Sequence, residues 1–332
     1  MLVSSALAAW LADPAARQRT SDAIDACSLK WGRHPLLTEL DASVRAAAPH
    51  SADGLLATAR RFLDRTADIE ALIGDLIANG RADPFFQSPF GPLANEMMQG
   101  LLLYHHPELM IGICVTRLEE LSQKKAKKQV AGSVNFTGYL SLTRFIDAGN
   151  ATVTLWEAPM IGHDFEAAGA GRCRVAERRR VADGEEIVVD GRYQSFTIDH
   201  AEGDLLYYQV TAFPDAAAVG AEFDSRTCEL LGTSSADEAA SRIQMMATLL
   251  RAMDCQAGMP ALEAALATPQ FYARWHVMRE MLALDADGAL PSLKRLAASD
   301  PHADVRFAAR QTLEAFFPQE AQAPEGVSAC PA

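Results

Sequence analysis

The chain has 332 residues, which at roughly 150 per domain is room for two domains or three small ones. Lys and Arg total 30 against 43 Asp and Glu, and the formal charge of −13 repels phosphate backbones, excluding a nucleic-acid-coating role unless basic residues gather on one face. Apolar residues make up 49% and charged residues 22%, the composition of a chain with a packed core, and no apolar run reaches the roughly 18 residues of a membrane-spanning helix.

The first 125 residues carry helical signals. Leu2, Leu7, Trp10 and Leu11 fall near helical spacing, and no Lys or Arg precedes them as a secretory signal requires. Ser21–Ser28, Leu36–Ala48, Asp53–Asp64 and Asp68–Asn79 place apolar residues three and four apart, so an all-helical domain is expected over 1–125. Within it, Asp83–Pro92 breaks the pattern with three prolines set around Phe85, Phe86 and Phe90, a loop pinned to the core by its aromatics.

From about Gln129 the period changes from 3.6 to 2. Ser133–Phe145, Ala151–Glu157, Arg172–Val181, Glu186–Val189, Tyr193–His200 and Leu205–Ala212 are short and rich in Val, Thr, Tyr and Phe, with Gly or Asp turns between them. Strands at turn spacing with no intervening helices predict an antiparallel barrel or sandwich over 126–218. Helices return over 219–318. Ser235-Ala-Asp-Glu238 reads as a capping box opening a helix that runs to about Met253. Pro269 with Arg274 and Pro301 with Arg306 form a repeat offset by 32 residues, each proline expected in the first turn of a helix. Residues 319–332 read as a flexible tail. The fold class is therefore α+β, helical, then stranded, then helical.

Six dispersed cysteines, with no Cys-x-x-Cys pair, read as reduced, mostly buried thiols of a cytoplasmic protein.

Two resemblances follow from these segments. Asp285 through Asp300 followed by Pro301-His-Ala-Asp-Val-Arg-Phe-Ala-Ala-Arg310, with its Asp-Pro turn, Val-Arg pair and Ala-Ala, resembles a HEAT-type helical repeat. That resemblance implies stacked helix pairs whose surfaces bind other proteins, although the strand domain of the same chain is an equal candidate for the neighbour. The strand region resembles a cupin-type jelly roll, in which two histidines and a carboxylate follow one Gly turn and another histidine follows a second. Here the corresponding positions fall near Leu155 and Glu157 and at Ser195, so the family's metal ligands are mostly missing.

A metal site would have to be built differently. His163 and Glu166 follow the strand that ends at Glu157, and His200 ends a later strand; converging, they would suit a divalent ion such as iron. Arg172, Arg174, Arg178 and Arg180 alternate along a strand and would share one face, where they either cradle an acidic ligand or pair with Glu185, Glu186 and Asp190. With Trp156 and Tyr207 from an aromatic interior, Arg172 and Arg174 are the ligand-binding candidates. Lys124–Lys128 reads as a solvated helix end. No phosphate-binding Gly-Lys-Thr, His-Glu-x-x-His or Gly-x-Ser-x-Gly occurs. The expected function is an accessory or regulatory binding protein for a protein or small-molecule partner, with no nucleic acid and no membrane. The alternative is a cupin-like metal-dependent enzyme, such as an iron-dependent oxygenase.

Overall fold

The computed structural model describes residues 4–46, 51–94, 98–119, 132–162 and 169–321. They form two compact units, one of residues up to 160 with 171–217 and 221–231, the other of 161–170, 218–220 and 232 onward.

The first unit begins with five helices: α1 (Ser5–Ala12), α2 (Pro14–Gly32), α3 (Pro35–Ala46), α4 (Ala52–Leu63) and α5 (Thr66–Ala82). Asp13 caps α2 by accepting from the amides of Ala15 and Ala16, with Pro14 at the first position where a missing amide costs nothing. The loop after α5 is pinned as its aromatics predict: Phe85 stacks on Trp10 with ring centroids 4.9 Å apart, and Phe86 and Phe90 pack against the helical core. Helix gives way to strand here, inside the 1–125 span expected to be all-helical. Strands β1 (Gly91–Ala94), β2 (Met98–His106) and β3 (Leu109–Thr116) follow.

The remaining strands are β4 (Ser133–Phe136), β5 (Leu140–Asp147), β6 (Thr152–Glu157), β7 (Arg174–Arg180), β8 (Glu186–Asp190), β9 (Gln194–His200), β10 (Leu205–Ala212), β11 (Val219–Asp224) and β12 (Leu230–Ser235). The single run expected over Ser133–Phe145 divides at Gly138, whose φ of 85° is left-handed and turns the chain between β4 and β5. A six-stranded sheet has the order β1-β2-β3-β10-β5-β8; two three-stranded sheets have the orders β12-β11-β4 and β7-β6-β9. Among the described residues these ladders pair antiparallel. The strand region thus starts at Gly91 and runs to Ser235, wider at both ends than 126–218.

The early strands escaped the period reading for a physical reason. One face of the six-stranded sheet, with Leu109, Ile111, Leu142, Tyr208 and Val210, packs on the helices. Its other face, with Cys114, Phe145, Ile187, Val189 and Tyr207, packs toward Val153, Leu155, Phe196 and Ile198 of β6 and β9. A strand covered on both faces loses its apolar–polar alternation, so β2 and β3 read as plain apolar runs.

The second unit contains α6 (Glu238–Ala252), α7 (Met259–Ala265), α8 (Phe271–Leu284), α9 (Ala286–Ser299) and α10 (Ala303–Phe316). The cap of α6 is Asp237, whose carboxylate accepts from the Ala240 amide at 2.9 Å; Ser235 instead belongs to β12 and accepts from the Asp237 amide. Helix α9 packs against both α8 and α10 around Val277, Met281, Ala289, Leu293, Val305 and Ala309. Pro269 and Pro301 lie just ahead of the caps Gln270 and His302, one step outside the helices rather than in their first turn.

Candidate functional site

The inner face of the six-stranded sheet is the position at which a jelly roll would hold a ligand. Its registers stack into layers. One holds Gly100, Cys114, Tyr207 and Phe145; the next holds Leu102, Gly112, Gln209, Thr143 and Ile187; the third holds His105, Met110, Thr211, Ser141 and Val189, with His105 exposed at its β2 edge. The other polar side chains of these layers are hydroxyl, amide and thiol groups. Thr143 Oγ1 donates to Gln209 Oε1 at 2.9 Å, and Tyr207 Oη lies 3.1 Å from Thr116 Oγ1. Burial pushes both the Tyr207 phenol and the Cys114 thiol up to about 12, so neither ionises near neutrality. There is no spare room beside Gly112, where an added Cβ would stand 2.8 Å from Leu93 Cδ2 of β1.

The expected metal residues do not converge. Glu157 pairs with Gln194 across the β6–β9 ladder, whereas His200 pairs with Thr152 at its other end. Five residues of strand separate them, roughly 16 Å. A register shift between Thr152 and Val153 also leaves Asp199 as an extra residue, which puts exposed His200 with Thr152, on the face of the sheet opposite to Val153, Leu155 and Glu157. Glu157 is held instead by Arg174. His163 and Glu166 lie outside the described residues, as does Lys124–Lys128. Among the described residues, no three His, Cys, Asp or Glu side chains are grouped to hold a metal ion, and the Glu157–His200 pair fails the same test by distance.

The ligand-binding set is dispersed too. Tyr207 sits in the barrel interior against Phe145, with ring centroids 6.0 Å apart. Trp156 alternates with Leu155 and so points away from that interior, donating from Nε1 to Thr197 Oγ1 at 3.0 Å. The four arginines do not share a face. The β6–β7 register shifts between Leu155 and Trp156, leaving Ala176 extra; Arg178 therefore faces with Thr154 and Arg174 with Glu157, on opposite sides of β6. Their partners come from other strands than the sequence suggested: Arg172 meets Glu229, Arg174 meets Glu157, and Arg178 meets Asp199 at 2.9 Å. Glu185 is bound by Arg179, which is not one of the four. Glu186 binds Arg60 and Arg144, and Asp190 binds Arg192.

The second unit contains a cleft of about 390 Å³ lined by Thr268, Pro269, Arg274, Arg295, Ser299 and Asp300 among others. Arg274 is buried and its donors are engaged: Nε and Nη2 reach Asp300 at 2.8 Å each, and Nη1 reaches the carbonyls of Thr268 and Pro269 at 3.0 and 2.7 Å. Arg306, 32 residues on, repeats the second half of this arrangement, donating to the carbonyls of Asp300 and Pro301 at 2.5 and 2.9 Å. The Pro–Arg spacing read from the sequence is thus the span over which a guanidinium reaches back to close the turn preceding its own helix.

One feature of this unit escaped the sequence reading. Helix α6 buries Ala240 and Ala247 and packs Ile243 and Leu250 inward, yet Met245, Met246, Leu249 and Met253 are each more than half exposed. The signal was present, since Met245, Leu249 and Met253 are four apart on the face opposite Ala247.

No family model and no curated protein matches the chain. Solved structures similar to it include the plu4264 protein from Photorhabdus luminescens, at 14% identity over 37% of this chain and 80% of that one, with a TM-score of 0.23. The cupin domain of Schizosaccharomyces pombe Cnp3 is similar at 10% identity over 36% and 63%, with a TM-score of 0.22. Hydroxypropylphosphonic acid epoxidase from S. wedmorenis is similar at 10% identity over 37% and 55%, with a TM-score of 0.25. The antiparallel, layered architecture rests on the strand pairing itself, and these similarities say nothing of an activity. Among the described residues no helix is long and apolar enough to cross a membrane.

Proposed function

We propose that the chain is an accessory or regulatory binding protein, acting in the cytoplasm, whose C-terminal helices are HEAT-type repeats that receive a partner protein. The observation that carries this reading is the exposed row Met245, Met246, Leu249 and Met253 on α6. In a stack of helix pairs the outermost helix ordinarily turns a polar face to water. Here that face is apolar over more than two turns, and methionine suits a surface that must fit another helix, because its side chain is unbranched and adaptable. The repeated Pro–Arg closure of α8 and α10 supports the repeat reading. The pairing of Thr143 with Gln209 and of Tyr207 with Thr116 inside the strand region agrees with a scaffold role for the strands.

The test is photo-crosslinking of the full chain in cells from a benzophenone side chain at position 249, with position 287 on α9 as the control. A single crosslinked protein species that disappears when Met245→Lys and Met253→Lys are combined is the expected result. Crosslinking equal at both positions, or stoichiometric iron in the purified chain with a rise in Tm on adding Fe(II), would overturn the reading.

A further inference from the structure

Cys173 immediately precedes β7, and Cys228 lies in the turn between β11 and β12. They are far apart in sequence, yet an isolated antiparallel bridge pairs Arg172 with Glu229 and so sets Cys173 directly opposite Cys228. The Cys173 amide donates to the Cys228 carbonyl at 3.0 Å, and the Cys228 thiol is near enough to help push the Cys173 thiol up. That backbone hydrogen bond holds the two residues in adjoining segments, and a disulfide between them needs Cα atoms roughly 4.4–6.8 Å apart. Both cysteines are reduced in this structure.

The backbone is clamped on either side of the pair. Cys228 is held at a φ of 59°, a left-handed conformation that side chains other than those of Asn and Asp rarely take. Its amide donates to the Asp224 carbonyl at 2.8 Å, and the Asp224 carboxylate accepts from the amides of Arg226 and Thr227 at 2.7 and 2.8 Å. On the other side, the Arg172–Glu229 ion pair fixes the bridge. The two thiols differ in access, Cys173 being buried and Cys228 half-buried. Cys27 and Cys114 are packed in separate cores.

We propose that Cys173 and Cys228 form a redox-controlled pair that closes to a disulfide by exchange with a small-molecule disulfide of the glutathione class. Cys228, the accessible thiol, attacks as its thiolate: an S–S bond forms to one glutathione, the glutathione disulfide bond breaks, and the other glutathione leaves as a thiolate that takes up a proton. Cys173 then gives its proton to solvent and attacks Cys228 Sγ, expelling the second glutathione. Two protein thiols are oxidised by two electrons, and one glutathione disulfide is reduced to two glutathiones. The order follows from the site, since burial, with Cys228 beside it, pushes the Cys173 thiol up and keeps it protonated until a leaving group is in contact. The product ties the start of edge strand β7 to the β11–β12 turn.

The test uses the full chain equilibrated in glutathione buffers of graded oxidation, then acid-quenched, alkylated and digested for peptide mass mapping. The wild-type chain is expected to lose two hydrogens and two alkylation sites and to yield one linked peptide joining Cys173 to Cys228. The Cys173→Ser chain should stop at a glutathione adduct on Cys228, and the Cys228→Ser chain should take up no glutathione at Cys173. Circular dichroism melts establish that both variants fold; where one does not, the wild-type map decides alone. A link between any other cysteines, a wild-type chain that stays glutathionylated at Cys228, or both thiols remaining alkylatable in the most oxidising buffer would refute the proposal.

Discussion

Replacing Arg274 by Ala removes four hydrogen bonds at once, two of them to a carboxylate. The Asp300 carboxylate is left buried with, among the described residues, only the His302 amide at 2.8 Å, and the carbonyls of Thr268 and Pro269 lose their donor. Removing one partner of a buried ion pair typically costs about 3–5 kcal/mol, because the charge that remains is desolvated and uncompensated. Arg306 provides the internal comparison. It closes the equivalent turn 32 residues later through the same kind of carbonyl contacts but is only half-buried, so Arg306→Ala should cost about 1 kcal/mol, the net worth of an ordinary hydrogen bond. Hydrogen exchange followed by mass spectrometry on peptides from 271–316 reads the local opening free energy directly. A third chain, Arg274→Met with Asp300→Leu, removes both charges and should recover most of the loss, since a buried pair is often replaceable by apolar residues of similar volume. Equal losses for Arg274→Ala and Arg306→Ala, or no recovery in the double variant, would refute the reasoning.

Four further outcomes are expected. Burial pushes the Glu186 carboxyl up, but the hydrogen bonds from Arg60 and Arg144 outweigh it and hold the group below its ordinary value. Its stabilising contribution is therefore full above the unfolded value of about 4.3 and is lost as pH falls through the lower folded value, so Glu186→Gln should flatten the fall of Tm with pH below about 4.3. At Gly100 an added Cβ would stand 2.1 Å from the Ile113 carbonyl oxygen, which is backbone, so Gly100→Ala should destabilise by about 1–3 kcal/mol in urea unfolding. Gly80 of α5 has nothing within 4 Å, and Gly80→Ala should instead stabilise by about 0.5–1 kcal/mol. Met245→Lys with Met253→Lys changes only exposed side chains and should leave stability within about 0.5 kcal/mol of wild type by the same method, which separates a binding defect from a folding defect.

Where one face of an element meets water, its period was visible in the residues. Leu205–Ala212 is a strand with the expected bounds, Ser5–Ala12 and the four helices that follow stand where apolar residues recur at three and four, and the Pro–Arg repeat marks the two closed turns. Where both faces are covered, the contrast that makes a period legible is gone. Strands β2 and β3 were missed for that reason, and with them the true start of the strand region.

The site was less legible than the fold, because convergence depends on register. Glu157 and His200 each end a strand, and only the β6–β9 pairing decides that they are opposite ends. Single extra residues at Ala176 and Asp199 change which face an arginine or a histidine occupies, and nothing in the local composition announces a bulge. The apposition of Cys173 with Cys228 likewise depends on a bridge between distant segments. The amino-acid sequence by itself determined the order of helix and strand, the charge balance and the turn chemistry, because these depend on neighbours within a few residues. Tertiary structure alone decided which strands became partners, which faces were buried and which side chains met. Those outcomes are set by the closure of sheets over cores, where shifting a strand by one residue exchanges its inside for its outside.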